Sequence, residues 1–446
     1  MIIDVDTEER LATGTSALMA AVAAPVADAP EPGRLERPRR FPPPVLRVRP
    51  YRWYWIAQWP VLVGTWMQVV ALGFLVYQVT GSTTAVAVVA GAQGLPAFVL
   101  PILGGALADR LPRRRILLVT QSTLGVSAGT LAVLAASGHA GFAAIAMVAF
   151  IFGSADAIDL PTRQALVADL VQRDLIVSAV ALTSMAMSAS RIIGPSLAGL
   201  LIASVGPGIC FAVLSLAYLA PLLVLLLVIP DLPPAGRGEG SALAAAWRGL
   251  GDAAHDPLVR RIVTCAAALS FLGVAYMPFL PVLARQQLGG DSRVLGLLYT
   301  TGGVGGLLAG LIVASMGRGA GRVRLLLAGG PIYAVGLFTL AHSHHLAMAL
   351  PALVAISFGF VALNTSMTTM LQTETPARLR GRMLGVYVMV MAGLQPLGTL
   401  FYGLISTVVP LFTAVGVGGI VIGVVAVLTA RSRPVSAVDS RAASAG

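Results

Sequence analysis

Apolar runs long enough to cross a bilayer, about 20 residues each, recur along most of this 446-residue chain. Twelve are read, at 54–79, 83–108, 116–136, 140–161, 176–205, 207–230, 259–284, 293–316, 323–341, 346–372, 383–408 and 410–430. Only the turn Gly206-Pro207-Gly208 divides the fifth from the sixth, and only Pro410 divides the last two. Charged side chains make up 11% of the sequence, against about 25% in soluble domains. The chain is therefore expected to be an all-α membrane protein, because a helix satisfies its own backbone in hydrocarbon.

Arginine sets the expected orientation. The breaks after runs 2, 4, 6, 8 and 10 hold, in turn, Arg110 with Arg113, Arg114 and Arg115; Arg163 and Arg173; Arg237, Arg248, Arg260 and Arg261; Arg318 and Arg322; and Arg378, Arg380 and Arg382. The breaks after runs 1, 3, 5, 9 and 11 hold none, and the break after run 7 is mixed, with Arg285, Asp291 and Arg293. By the positive-inside rule both termini are cytoplasmic in a plasma (inner) membrane. The net charge of +11 then reads as orientation and contact with anionic lipid, and no nucleic-acid partner is expected.

The same count excludes other chemistry. All 30 cationic side chains are Arg, with no Lys, so a Walker A loop and a Schiff-base lysine are both ruled out. Cys210 and Cys265 stand far apart in apolar runs and suggest neither a disulfide framework nor a metal cluster. His342, His344 and His345 have no acid or Cys nearby and read as an exposed polar loop. No cofactor, no metal and no enzyme constellation is expected.

The longest break between runs divides them six and six. Residues 1–50, acidic first and then rich in Pro and Arg, read as a disordered cytoplasmic tail. Residues 51–230 form a first six-helix bundle, 231–258 a cytoplasmic linker, 259–430 a second bundle and 431–446 a second tail. A repeat supports the division: Asp159-Leu-Pro161-Thr-Arg163 ends run 4 and Glu374-Thr-Pro376-Ala-Arg378 ends run 10. The following runs carry Gly194-Pro195 and Gln395-Pro396, so the two bundles are expected to be pseudo-symmetric.

Residues 104–117, GGALADRLPRRRIL, resemble the signature between spans 2 and 3 of the major facilitator superfamily, through Gly105, Leu107, Asp109, Arg110, Arg113 and Arg114, with Pro112 in place of a usual Gly. Residues 190–199, SRIIGPSLAG, are similar to the span-5 signature of its exporters, with Ser190 and Ala198 replacing two glycines. DAIDLPTRQALVADLV and RGRMLGVYVMVMAGLQPLG resemble the branch of enterobactin exporters and macrolide-efflux proteins, and the likeness covers about residues 50–430. It implies the two-bundle fold, alternating access, and a gating charge cluster that includes Asp109, Arg113 and Asp159.

Residue chemistry adds candidates beside that resemblance. Asp159 stands near the expected C-terminal end of its span, and Arg113, Arg114 and Arg115 near the N-terminal end of theirs. Helix dipoles disfavour both placements, which makes sense if the groups pair at the cytoplasmic face. The cluster extends to Arg110, Arg163, Glu374 and Arg378, and it reads either as a latch between bundles or as topology signals. Asp156, one turn from Asp159, reads equally as a proton-binding acid or as a further member of the cluster. Arg191, the deepest charge, faces either an anionic substrate or the backbone beside Gly194-Pro195. Gly194, Pro195 and Gly199 are read as a motif for close packing and bending.

Gln58, Thr65 and Gln68 on run 1, and Asn364, Thr368 and Gln372 on run 10, are read as lining a water-filled cavity, with Gln395 beside them. Met185, Met187, Met367, Met370, Met389 and Met391 offer either a deformable lining or ordinary packing. Gly302, Gly306 and Gly310 are read as a packing ridge. The leading expectation is a monomeric, proton-coupled exporter of a small amphipathic substrate such as a drug, natural product or siderophore, with protons and membrane lipids as its other partners. A metabolite importer of the same fold is the alternative, and a non-transporting sensor or scaffold the reading from another class.

Overall fold

The computed structural model describes residues 43–97, 100, 111–172, 175–231, 255–315 and 322–432. Twelve helical stretches correspond to the twelve runs. They are α1 (Arg49–Thr80), α2 (Thr83–Gly94), α3 (Arg113–Ala136), α4 (Phe142–Leu170), α5 (Ile176–Ser204) and α6 (Gly208–Leu227). The second half supplies α7 (Pro257–Gln286), α8 (Ser292–Ser315), α9 (Arg322–Ala341), α10 (Leu346–Glu374), α11 (Ala377–Ile405) and α12 (Leu411–Ala430). Among the described residues, 11 helices are long and apolar enough to span a membrane; α2 is described as Thr83–Gly94. Residues from Val45 onward form one compact unit, and Met1–Pro44 another, of which only 43 and 44 are described.

Helix ends follow local chemistry. Gly81, at φ 61, closes α1 in the left-handed conformation that glycine adopts without strain. Asp256 caps α7, its carboxylate accepting from the amides of Leu258 and Val259 at 2.8 and 3.1 Å ahead of Pro257. Outward faces are apolar: Val119, Val126 and Val133, seven apart on α3, are all exposed where lipid lies.

Several helices outrun their apolar stretches. Packing is seen just before the expected boundary at residue 50, where Val45 is buried and packs with Tyr51, Val171 and Ala179. More consequentially, α4 continues through Pro161 to Leu170. Asp159 therefore sits in the middle of a helix, and the dipole argument drawn from a nearby C-terminus does not apply to it.

α7 departs from a regular helix midway. Its α-helical start, Pro257–Ala268, gives way to a π turn at Leu269–Gly273 and a 3-10 segment at Val274–Phe279 before Leu280–Gln286 resumes. Neighbouring hydroxyls bond the carbonyls of this irregular stretch: Tyr402 donates to Leu272 at 2.8 Å, Thr399 to Ala275 at 3.2 Å and Tyr299 to Met277 at 2.9 Å. Irregular backbone at membrane depth survives only when so bonded or when it lines a cavity.

Among the described residues the two halves meet along three close seams. On α2 and α11, a methyl added to Gly91 or Gly94 would fall 2.6 Å from Leu400 or 2.4 Å from Pro396. On α5 and α8, a methyl on Gly199 would lie 2.6 Å from the Cα of Gly296, and one on Gly303 2.8 Å from Ile192. These seams are equivalents under a six-helix duplication, and each carries a hydroxyl bond, Thr84 to the Gly403 carbonyl at 3.1 Å and Ser196 with Thr300 at 2.6 Å. The third seam packs Gly73 of α1 on Pro281 of α7, and there the Gln286 amide donates to the Tyr77 hydroxyl at 2.8 Å. Short connectors make successive helices antiparallel, so these contacts all lie in the half of the layer remote from the start of α1. In the near half, a methyl on Gly306, Gly310 or Gly385 would meet nothing within 4 Å.

Candidate functional site

Inside the first half, α1, α3, α4 and α6 enclose a charged network. Asp159 is 1% exposed, and its carboxylate receives the Arg163 guanidinium at 3.2 Å and the Thr120 hydroxyl at 2.9 Å. One helical turn separates Asp159 from Arg163, so α4 itself sets their spacing. Arg163 also donates to the Gln58 carbonyl oxygen on α1 at 3.1 Å. Beside them, Gln121 donates to the Tyr54 hydroxyl at 3.4 Å. Asp156 is half-buried and within electrostatic reach of Asp159, Arg163 and Tyr218. Two carboxylates thus stand near one guanidinium, so the cluster carries one negative charge in excess when both are ionised.

The grouping of Arg113 with Asp159 is not found. Arg113 pairs instead with Asp169 on the polar extension of α4 and donates to the Ala165 carbonyl at 3.1 Å. Its cost at a helix N-terminus is offset there. Arg114 holds the end of a neighbouring helix, donating to the carbonyls of Leu225 and Leu226 at 2.6 and 2.9 Å and pairing with Asp231 at 3.0 Å. A cation at the C-terminal end of α6 caps its last turn. Arg115 is exposed. Asp109, Arg110 and the Arg378 side chain lie outside what is described. Glu374 accepts from the Thr373 hydroxyl at 3.2 Å. The contacts seen for Arg113, Asp159 and Arg163 all lie within the first half.

Between the halves lies a cavity of about 610 Å3. α1 contributes Trp66 and Val69, α5 Arg191 and Pro195, and α8 Gly302, Gly303, Gly306 and Gly310. The irregular part of α7 supplies Val274, Tyr276, Met277 and Pro278, with Tyr333, Ser357, Phe360, Met391 and Gln395 completing much of the wall. The Arg191 guanidinium stacks over the Trp66 ring, 4.8 Å from its centroid. Arg191 and Gln395 thus line this cavity.

Other expected cavity residues are elsewhere. Gln58 is bonded to Arg163 in the interior of the first half. Gln68 is buried there too, with neither amide atom bonded; its face of α1 is the one Gly64 packs against Leu214 of α6. Asn364 accepts from the Tyr387 hydroxyl at 2.6 Å, and the Thr368 hydroxyl donates to the Asn364 carbonyl at 2.7 Å. Met391 lines the cavity, whereas Met367 and Met370 are packed in the core. The glycine ridge on α8 is also reassigned. Gly302, Gly306 and Gly310 line the cavity, and the close contacts of α8 are made at Gly296 and Gly303 with α5 and at Gly305 with α10. Gly194 packs on Trp66 and Val63 of α1, and Gly199 crosses to α8. The sequence reading missed Trp66, Tyr276, Tyr333 and Asp169; Pro278 and Pro281 within run 7 were the available signal for the irregular α7.

Residues 41–445 match the family described as Transmembrane secretion effector. The chain belongs to that family. It is a multi-pass transporter of the major facilitator superfamily and not an enzyme, as the signature resemblance implied. The enterobactin exporter EntS of Shigella flexneri is 27% identical over 382 residues, covering 82% of this chain and 90% of that protein. EntS of Escherichia coli O157:H7 (strain EC4115 / EHEC) is 26% identical with the same coverage. Among solved structures, the nucleoside transporter NupG superposes with a TM-score of 0.67 at 13% identity, over 86% of this chain and 97% of that one. A bacterial homolog of the human lysosomal transporter Spinster, inward-facing and unoccupied, gives 0.66 at 14% identity, over 88% and 98%. At such identities these two structures speak for the fold, twelve helices in two pseudo-symmetric bundles.

Proposed function

We propose that this transporter is a proton-coupled exporter of a small amphipathic molecule, working as a monomer in the inner membrane by alternating access. Residues 51–230 and 259–430 are the moving bundles, joined by 231–258, and the distribution of arginine supports cytoplasmic termini. One observation carries the reading: among the described residues the cavity lies beneath three tight seams in the remote half of the layer, while Gly306 and Gly310, which line it in the near half, have nothing within 4 Å of an added methyl. With the termini inside, this is an inward-open state, and closing the near half over Gly306 and Gly310 gives the opposite one. The related EntS exporters support export, and an enterobactin-like siderophore is among the substrates to try.

The purified protein in liposomes is expected to move a member of a panel of siderophores, antibiotics and dyes, faster with an imposed proton gradient. Absence of movement for the whole panel sinks the reading. Asp156 is the coupling group: it carries the excess charge of the network, and a bound proton balances that charge. Asp156→Asn is expected to retain substrate binding and exchange while losing most of the acceleration by the gradient. An unaltered response to the gradient moves coupling to another residue.

A further inference from the structure

The geometry points to an anion-selective cavity, in which Arg191 and Trp66 receive the negatively charged edge of an aromatic substrate and lipophilic cations are rejected. This deepens the exporter reading by naming the substrate class, and it rests on that reading for its place in transport. Among the described residues, Arg191 is the one formal charge on the cavity wall, and no acidic side chain lines it. Arg191 has no ion pair and no hydrogen-bonded acceptor there; its one contact of note is the face of Trp66.

Arg191 is exposed toward the cavity, and a cation at membrane depth faces either water or a partner of opposite charge. The cation–π stack compensates the charge in part and fixes the plane of the fork. It covers a face of the guanidinium and leaves the N–H edge, which is the part that grips a carboxylate or phenolate in two parallel bonds. Asp159 and Arg163 are bonded within the first half, and Asp156 is not among the residues that line this cavity. Among the described residues no side chain supplies the opposite charge, so the place is open to an anionic occupant. The remaining wall suits its body. Tyr276, Tyr333 and Phe360 present ring surface, while Gln395 and Ser357 are the small polar complement. The Tyr299 hydroxyl is already committed to the Met277 carbonyl. A cavity of about 610 Å3 is of the size that holds one drug-sized molecule.

The absence of a carboxylate from the wall is as informative as the arginine. A cationic aromatic would meet Arg191 at close range with nothing to offset the repulsion, so this chamber discriminates by an unfavourable contact as well as a favourable one. The test uses three probes of one shape on the full-length protein in detergent: 2-naphthoate, 2-naphthamide and 2-naphthylmethylammonium. Binding by titration calorimetry is expected to favour naphthoate over naphthamide by at least about tenfold and to leave the ammonium weakest. Arg191→Gln abolishes the preference and Arg191→Lys keeps it. Trp66→Leu weakens naphthoate and naphthamide alike.

Equal binding of the three probes, preference for the ammonium, or no binding of any overturns the inference. So does an anion preference that survives Arg191→Gln. Because binding is read without transport, the outcomes separate. Efflux of a cationic dye with no anion preference keeps the exporter and removes this site. Anion binding without efflux of any panel compound keeps the site and removes the exporter.

Discussion

Gly153→Ala is expected to cost this transporter its activity and to lower its melting temperature by about 5 °C, the consequence of about 1–3 kcal/mol of overpacking. A methyl at that position would fall 1.8 Å from the carbonyl oxygen of Gln93 and 3.0 Å from its Cα. No side chain can swing aside, because the obstacle is the backbone of α2. The two helices would have to part by roughly 1.5 Å to restore an ordinary contact. In a bilayer that separation is poorly resisted, since lipid solvates an apolar surface as well as protein does and close packing supplies much of the association. The displacement also propagates. α2 is held on its other side by Gly91 against Leu400 and Gly94 against Pro396, so pushing it off α4 drives it into the seam between the halves. Gly385→Ala, where a methyl meets nothing within 4 Å, is expected to melt with the parent. Thermal unfolding of the two purified variants decides the matter: equal melting temperatures would show that α2 and α4 do not need their close approach.

That contrast marks what could and could not be read from residues alone. The number of spans, their fold and the family signatures were legible, because hydrocarbon thickness and arginine placement act on each run separately. The charge partners were not. Apolar length ended run 4 at 161, yet α4 continues to Leu170, and only that polar extension brings Asp169 to Arg113. A helix beyond the membrane leaves no hydropathy signal. Glycine roles were half legible: the spacing of Gly302, Gly306 and Gly310 does define one face of α8, but which face meets α5 depends on the rotation of the helix. The structure gives that contact to Gly296 and Gly303. Arg191 was recognisable as a deep charge, whereas its stacking on Trp66 required knowing that α1 and α5 pack through Gly194.

The enclosed network of the first half sets up the largest single effect. Arg163→Met is expected to lower the melting temperature by about 10 °C, because breaking a buried pair costs about 3–5 kcal/mol. The loss is not the value of one contact. Removing the guanidinium strips Asp159 of its partner at 3.2 Å and the Gln58 carbonyl oxygen of its donor at 3.1 Å. It also leaves Asp156 and Asp159 one turn apart with the Thr120 hydroxyl as the donor seen on Asp159. Asp159→Asn is milder in expectation, since Asp156 stays within electrostatic reach of Arg163 and the Asn carbonyl can still accept from Thr120. The double variant Arg163→Met with Asp159→Asn separates folding from function. With both charges gone, one carboxylate remains, on the half-buried Asp156. At least half of the lost melting temperature is expected to return, as neutral replacement of a buried pair is often well tolerated. Gradient-driven transport is not expected to return with it, because a lone carboxylate without its guanidinium no longer alternates between a balanced and an unbalanced cluster. Restoration of both would make the network a structural brace alone and send the coupling role elsewhere; restoration of neither would show that Arg163 supports the fold through Gln58 on α1 more than through Asp159.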